Sequence, residues 1–319
     1  MSFTTDIKKE LTGLETGRKC CQLAQLTGFA RFAGSIVIIG GKPGLKVTTD
    51  NPAVARLFIT LVKEYFGTKT ALQIGSGQLM RKGHTYSLII SPEMNAEAIL
   101  RELGILGVME GSNYIKDGLE SANYKKRCCK KAALRGIFLA AGSVSDPGKA
   151  YHLEISCGNQ AVASDVKKLM GSFGLKSKVV TRRNKEIVYL KDAEQISEFL
   201  TVVGCTNQLF KFENVRISKE MKNKANRINN CEGANLDKTV NAAQKVIGDI
   251  NYIEDTVGLD YLPGKLSETA IVRKENPELA LAELALLFEP PIGKSGLYHR
   301  LEKISEIAAE LKSRSHLKK

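Results

Sequence analysis

Apolar and small residues fall in the same order twice along the chain. The segment CCQLAQLTGFARFAGSI from Cys20 aligns without a gap with CCKKAALRGIFLAAGSV from Cys128, an offset of 108 residues. At that offset Asn51-Pro52-Ala53-Val54-Ala55 meets Asn159-Gln160-Ala161-Val162-Ala163, and Leu61 meets Leu169. Phe66-Gly67 then meets Phe173-Gly174 one residue early, which marks a loop deletion. Ala98-Ile99-Leu100 with Gly104 meets Glu198-Phe199-Leu200 with Gly204, so the second copy has the shorter hairpin. The pattern predicts two diverged copies of one unit, over about 20–105 and 128–205.

Within each copy the periodicity predicts helix, two strands, helix, two strands, helix, an αββαββα unit. The segments at 45–49 and 152–156 have β-type composition, and each feeds a helix opened by Asn51-Pro52 or Asn159. In the first of those helices Val54, Leu57, Phe58, Leu61 and Val62 recur at helical spacing and form one apolar face. Residues 106–127 have no counterpart in the repeat and read as its connector. The scaffold is placed at 1–220, followed over 221–264 by a linker that is polar and Asn-rich from Asn226 to Asn235. Leu236, Val240, Ala243, Ile247 and Ile250 then mark an amphipathic helix. The tail, 265–319, reads as all-α. Asn276-Pro277-Glu278 predicts a helix start, with Leu281, Leu284, Ala285 and Phe288 inward. A break at Glu289-Pro290-Pro291-Ile292-Gly293 precedes a helix from Lys294 that buries Leu297, Leu301, Ile304 and Ala308. The fold class expected is α+β with a helical C-terminal domain.

Charge narrows the partners. Among 319 residues, 47 Lys and Arg against 34 Asp and Glu leave a formal +13, which favours a polyanion, although a merely solvated basic surface gives the same sum. The N-terminal segment has no basic start followed by an apolar core, and no apolar run approaches a membrane span, so a cytoplasmic protein is expected. Seven Cys without C-x-x-C spacing fit reduced thiols better than a disulfide framework. A structural zinc is not expected, because neighbours such as Cys20-Cys21 and Cys128-Cys129 fan about 100° apart on a helix. Gly293-Lys294-Ser295 resembles the end of a phosphate loop, but Phe288 stands where that loop needs Gly, which argues against nucleotide binding. No cofactor is expected.

The segments Leu26–Gly34 and Leu134–Gly142 resemble the two LAGLIDADG helices of single-chain homing endonucleases. Gly28, Ala33 and Gly34 against Gly136, Ala140, Ala141 and Gly142 would let two helix backbones pack closely at a pseudo-twofold interface. In that family the last acidic residue of each motif holds the catalytic divalent metal; here those positions are Ala33 and Ala141, and Asp146 is the nearest acid. A methyl group neither binds a metal nor activates water, so the resemblance implies a scaffold that has lost its nuclease chemistry. The family's saddle of strands lies on DNA. Here Lys176, Lys178 and Arg182 fall on one face of a strand with Arg183 and Lys185 in the following turn, while copy one offers Lys69, Arg81 and Lys82. The run Lys125-Lys126-Arg127 with Lys130-Lys131 reads equally as a solvated helix start.

The tail resembles a helix-turn-helix whose second helix presents Lys294, Ser295, Tyr298, His299, Arg300 and Lys303 to double-stranded DNA. A degenerate LAGLIDADG scaffold followed by such a tail resembles the WhiA family of bacterial transcription regulators over essentially the whole chain. Further matches are Asn226-Arg227, Asn230-Cys231, Ala234-Asn235 and Lys238, then Asn276-Pro277-Glu278, Pro290-Pro291-Ile292, Lys294-Ser295-Gly296 and His299-Arg300-Leu301. Gly293, Tyr298 and Glu302 depart from the Ser, Asn and Arg expected there, which bears on the DNA sequence preferred. The resemblance implies regulation of sporulation, cell division or chromosome segregation genes. Two other readings stay open: an adaptor of the nucleoid or division machinery with a protein partner, and a metal-dependent endonuclease.

Overall fold

In the computed structural model, which describes residues 2–76 and 84–316, the chain forms two compact units, Met1–Lys219 and Glu220–Lys319, each with its own apolar core. The first opens with α1 (Phe3–Thr12) and then carries the repeat. Copy one runs α2 (Lys19–Ala33), β1 (Gly34–Ile39), β2 (Lys42–Thr49), α3 (Pro52–Phe66), β3 (Ala71–Ser76), β4 (His84–Ile90) and α4 (Ala96–Glu102). After the hairpin β5 (Leu106–Met109) and β6 (Ser112–Ile115), copy two runs α5 (Arg127–Ala141), β7 (Gly142–Val144), β8 (Leu153–Cys157), α6 (Gln160–Gly171), β9 (Lys178–Arg182), β10 (Lys185–Leu190) and α7 (Ala193–Val203). The predicted αββαββα order is present in both copies.

The local signals act as their chemistry requires. The Asn51 carboxamide accepts the N–H groups of Ala53 (2.9 Å) and Val54 (3.4 Å), Pro52 takes the first helical position, and Gly67 ends α3 at φ 68°. Asn159 caps α6 through Val162 N–H at 2.8 Å. The inserted hairpin turns at Glu110-Gly111, φ 51° and 78°, the two left-handed positions of a tight two-residue turn. The segment read as a connector is thus partly ordered as strands.

Each copy folds its strands into an antiparallel sheet, in the orders β1-β2-β4-β3 and β7-β8-β10-β9. Alternation sorts the faces. Leu45, Val47, Leu88 and Ile90 of the first sheet, and Leu153, Ile155, Val188 and Leu190 of the second, are buried against helices. The opposite faces remain open. At the centre α2 packs on α5, and a Cβ on Gly28 would stand 2.5 Å from the Ala133 carbonyl oxygen, one on Gly136 2.1 Å from that of Gln25. Only glycine permits that approach.

α1 ties the unit together from the other end of the sequence. Thr4 Oγ1 both donates to the Val144 carbonyl and accepts its N–H, each at 2.8 Å. The Glu10 carboxylate accepts the N–H groups of Asn207 (2.7 Å) and Gln208 (2.9 Å), capping α8 (Thr206–Val257).

α8 is one continuous helix of 52 residues, and it takes in both the polar stretch and the amphipathic segment of the expected linker. Asn226–Asn235 is helical and exposed throughout; of the apolar face anticipated further on, Val240 is exposed, Ile247 half-buried, and Ala243 and Ile250 buried. In the second unit Ile250 and Ile253 join a core with residues of α9 (Gly264–Glu275), α10 (Leu281–Leu284) and α11 (Lys294–His316). Leu284, Ala285, Phe288, Leu297, Leu301, Ile304 and Ala308 are buried as predicted. The predicted helix start at Asn276 is corrected: Asn276 ends α9, its carboxamide donating to the Val272 carbonyl at 3.0 Å. Buried Arg273 donates to the carbonyls of Leu279 (2.7 Å) and Pro277 (2.9 Å), holding 276–280 as a loop, and burial lowers its pKa. No helix of the described residues is long and apolar enough to cross a membrane.

Candidate nucleic-acid interface

The C-terminal ends of α2 and α5 lead directly into β1 and β7, so the helix pair aims the open faces of both sheets. On the second sheet Lys178 and Arg182 are exposed on the edge strand β9, and exposed Lys176 precedes it, its backbone N–H held by Gln195 Oε1 at 2.7 Å. Arg183 and Asn184 make the turn at φ 47° and 61°. Lys185 opens β10 opposite Arg182 instead of lying in the turn, which places both cations on one face. Tyr189, paired with Lys178, shares that face, with the Lys191 ammonium 5.3 Å over its ring. Glu154 is its acidic member, beside His152 at 3.2 Å.

The first sheet is plainer. Its open face pairs Lys46 with Ile89 and Thr48 with Ser87. Lys69 is exposed before β3, whereas Arg81 and Lys82 lie outside the described residues. Lys46 was not singled out from sequence, although its place between buried Leu45 and Val47 assigns it to the open face. Lys126 and Arg127 stand at the opposite end of α5 from the strands, with the Arg127 guanidinium 5.7 Å over the Phe173 ring.

Ala33 and Ala141 occupy equivalent last positions of the two central helices, half-buried. The following glycines are fixed by close contact: a Cβ on Gly34 would lie 2.2 Å from the Ala30 carbonyl oxygen, and one on Gly142 2.1 Å from the Phe138 ring. Asp146 is engaged in its own turn, accepting the Gly148 N–H at 2.8 Å.

In the second unit α11 presents exposed Lys294, Ser295, Tyr298, His299 and Lys303 opposite its buried side. His299 Nδ1 lies 3.4 Å from Glu302, and Tyr298 meets the His299 ring edge-on at 5.8 Å. Lys294, Tyr298 and Glu302 also border a cavity of about 540 Å³ shared with Ala242, Val246 and Leu281. Arg300 departs from this outward set. It is half-buried, its guanidinium 5.6 Å over the Phe288 ring and 3.4 Å from Thr269 Oγ1, so it braces α11 against the core.

At the N-terminal end of the helix pair the structure overturns an expectation. The Sγ atoms of Cys20, Cys21, Cys128 and Cys129 all lie within 4.8 Å of one another. Neighbours on one helix do diverge, but the glycine-mediated approach brings two diverging pairs face to face, and they converge. Burial raises the pKa of Cys21 to about 11 and that of Cys129 to about 12, while a hydrogen bond from Cys21 lowers that of Cys128.

Comparison with known proteins agrees with this architecture. The WhiA N-terminal LAGLIDADG-like domain matches residues 19–106, the WhiA LAGLIDADG-like domain 130–222, and the WhiA C-terminal HTH domain 225–308. A "Probable cell division protein WhiA" from Thermoanaerobacter sp. (strain X514) is 44% identical over 315 residues, covering 98% of this chain and 99% of the relative. The chain belongs to the WhiA family. Other WhiA proteins of that name, from Clostridium perfringens (strain 13 / Type A) and Alkaliphilus metalliredigens (strain QYMF), are 41% and 39% identical, covering 98% and 99% of this chain and 99% and 100% of theirs. The crystal structure of full-length DUF199/WhiA from Thermatoga maritima superposes with a TM-score of 0.59 at 23% identity, over 97% of this chain and 99% of that one. The WhiA fold is thus a pseudo-twofold LAGLIDADG-like scaffold joined to a helix-turn-helix domain.

Proposed function

We propose that this WhiA-family chain is a sequence-specific regulator of transcription that binds double-stranded DNA at the nucleoid, acts on cell division genes, and has no nuclease activity. The observation that carries the reading is the first three turns of α11: Ser295, Tyr298, His299 and Lys303 are exposed while Leu297, Leu301 and Ile304 anchor the helix. A helix held by one face and solvated on the other can enter a major groove and reach base edges. Lys176, Lys178, Arg182 and Arg183 supply phosphate contacts, which position without discriminating. The cell-division assignment is supported by the names of the relatives. Loss of cleavage is supported by alanine at both positions where a metal-binding carboxylate would stand.

A competition assay between a promoter fragment and random duplex tests the division of labour. Replacing Ser295, Tyr298 and His299 with Ala removes the preference for the promoter, each good base contact contributing on the order of 1–3 kcal/mol. If that variant keeps its preference while a Lys176, Lys178 and Arg182 variant loses it, the roles are reversed. A second reading, an adaptor with a protein partner, is favoured by the exposed apolar side chains of the β5–β6 hairpin, Val108, Met109, Tyr114 and Ile115. Sharp promoter peaks in a genome-wide occupancy map support regulation; diffuse occupancy supports the adaptor.

A further inference from the structure

We infer that Cys20, Cys21, Cys128 and Cys129 form a four-thiolate site for a single zinc-type divalent ion, which clamps the N-terminal turns of α2 and α5 together. Geometry carries the argument. Zinc–sulfur bonds of about 2.3 Å in a tetrahedron place the ligand sulfurs roughly 3.8 Å apart. Here the Cys128 and Cys129 sulfurs stand 3.9 Å apart, and no pair of the four exceeds 4.8 Å. Small rotamer adjustments close that gap. Each helix contributes two adjacent residues that approach from different sides, as a tetrahedral ion requires.

The surroundings suit the charge. Binding one divalent ion releases four thiol protons to solvent and leaves a complex of net charge −2. It sits at two helix N-termini, where the macrodipoles favour negative charge and thiolates. Neither α2 nor α5 has a side-chain cap or an acid in its first turn, and the flanking residues Arg18, Lys19, Lys126 and Arg127 are all basic. An all-sulfur donor set selects a soft ion of the zinc type over Mg²⁺ or Ca²⁺. Four protein ligands leave no open position, so the site is structural and not catalytic. Among the described residues this is the one group of three or more His, Cys, Asp or Glu side chains close enough to share an ion.

The test uses the full chain, purified under reducing conditions and desalted. Elemental analysis is expected to find one zinc per chain. Titrating metal-free chain with Co²⁺ alone is expected to give thiolate-to-cobalt charge-transfer bands and the intense d–d bands of a tetrahedral ion, saturating at one equivalent. Cys21→Ser with Cys128→Ser loses both signals, whereas Cys231→Ser, an exposed cysteine of α8, keeps them. Should the double variant misfold, thiol alkylation of the wild-type chain decides: zinc shields four of the seven thiols until a chelator is added. Reduced chain that binds no metal overturns the inference. So does stoichiometric iron, or a mass two hydrogens short per bridge that reveals a Cys20–Cys129 or Cys21–Cys128 disulfide.

Discussion

The two ends of the α2–α5 pair carry opposite chemistry. At the C-terminal end, where the LAGLIDADG resemblance places metal-binding acids, stand Ala33 and Ala141, and the chain passes directly into the sheets. At the N-terminal end four sulfurs converge. A pseudo-twofold helix pair brings equivalent residues of the two repeats together wherever the helices touch. Either end can therefore assemble a polydentate site from two copies of a short motif, and what is built there depends on residue type alone.

The comparison is broken most severely by prying the helices apart. Gly136→Val sets side-chain atoms against the Gln25 carbonyl, where even a Cβ would come within 2.1 Å. It is expected to destabilise the first unit by about 3 kcal/mol or more in urea unfolding, and to disperse both ends together. Removing metal sharpens the contrast. A chelator is expected to lower the unfolding midpoint of the wild-type chain markedly and that of Cys21→Ser with Cys128→Ser scarcely at all, with DNA affinity of the folded chains unchanged. At the other end, Lys176→Ala, Lys178→Ala and Arg182→Ala together are expected to leave the stability within ~1 kcal/mol of wild type. They weaken promoter and random DNA alike, and in an anisotropy salt series the slope falls by roughly 0.9 for each phosphate that is no longer neutralised. The smallest effect is expected from restoring acids. Ala33→Asp with Ala141→Asp, incubated with plasmid and Mg²⁺ or Mn²⁺, produces no cleavage above a buffer control, because carboxylates alone do not rebuild the groups that orient them.

The repeat, its element order and the glycine interface were legible because a duplicated pattern reports itself and each copy checks the other. The polar stretch before Leu236 gives no helical signal in the sequence for a definite reason. Hydrophobic periodicity detects helices that bury one face, and Asn226–Asn235 buries none. Asn276 carries the residue type of a helix start, yet the buried Arg273 claims the carbonyls that follow and makes it an end. Arg300 looked outward by spacing because the Phe288 ring that recruits it lies before the break. The cysteine cluster is not legible from either helix alone, because convergence is a property of two helices whose spacing is set by Gly28 and Gly136.

α1 holds a further consequence. Its anchors lie 140 residues away at Val144 and 197 and 198 residues away at Asn207 and Gln208. α1 is therefore synthesised long before the residues that hold it. A nascent chain stalled before Asn207 has α1 synthesised but its Glu10 without those two N–H donors, and pairings of such long sequence separation form late because loop closure precedes their reward. Completion of the scaffold thus waits for the start of α8, which couples the folding of the duplicated half to the synthesis of the helix that leads into the second unit.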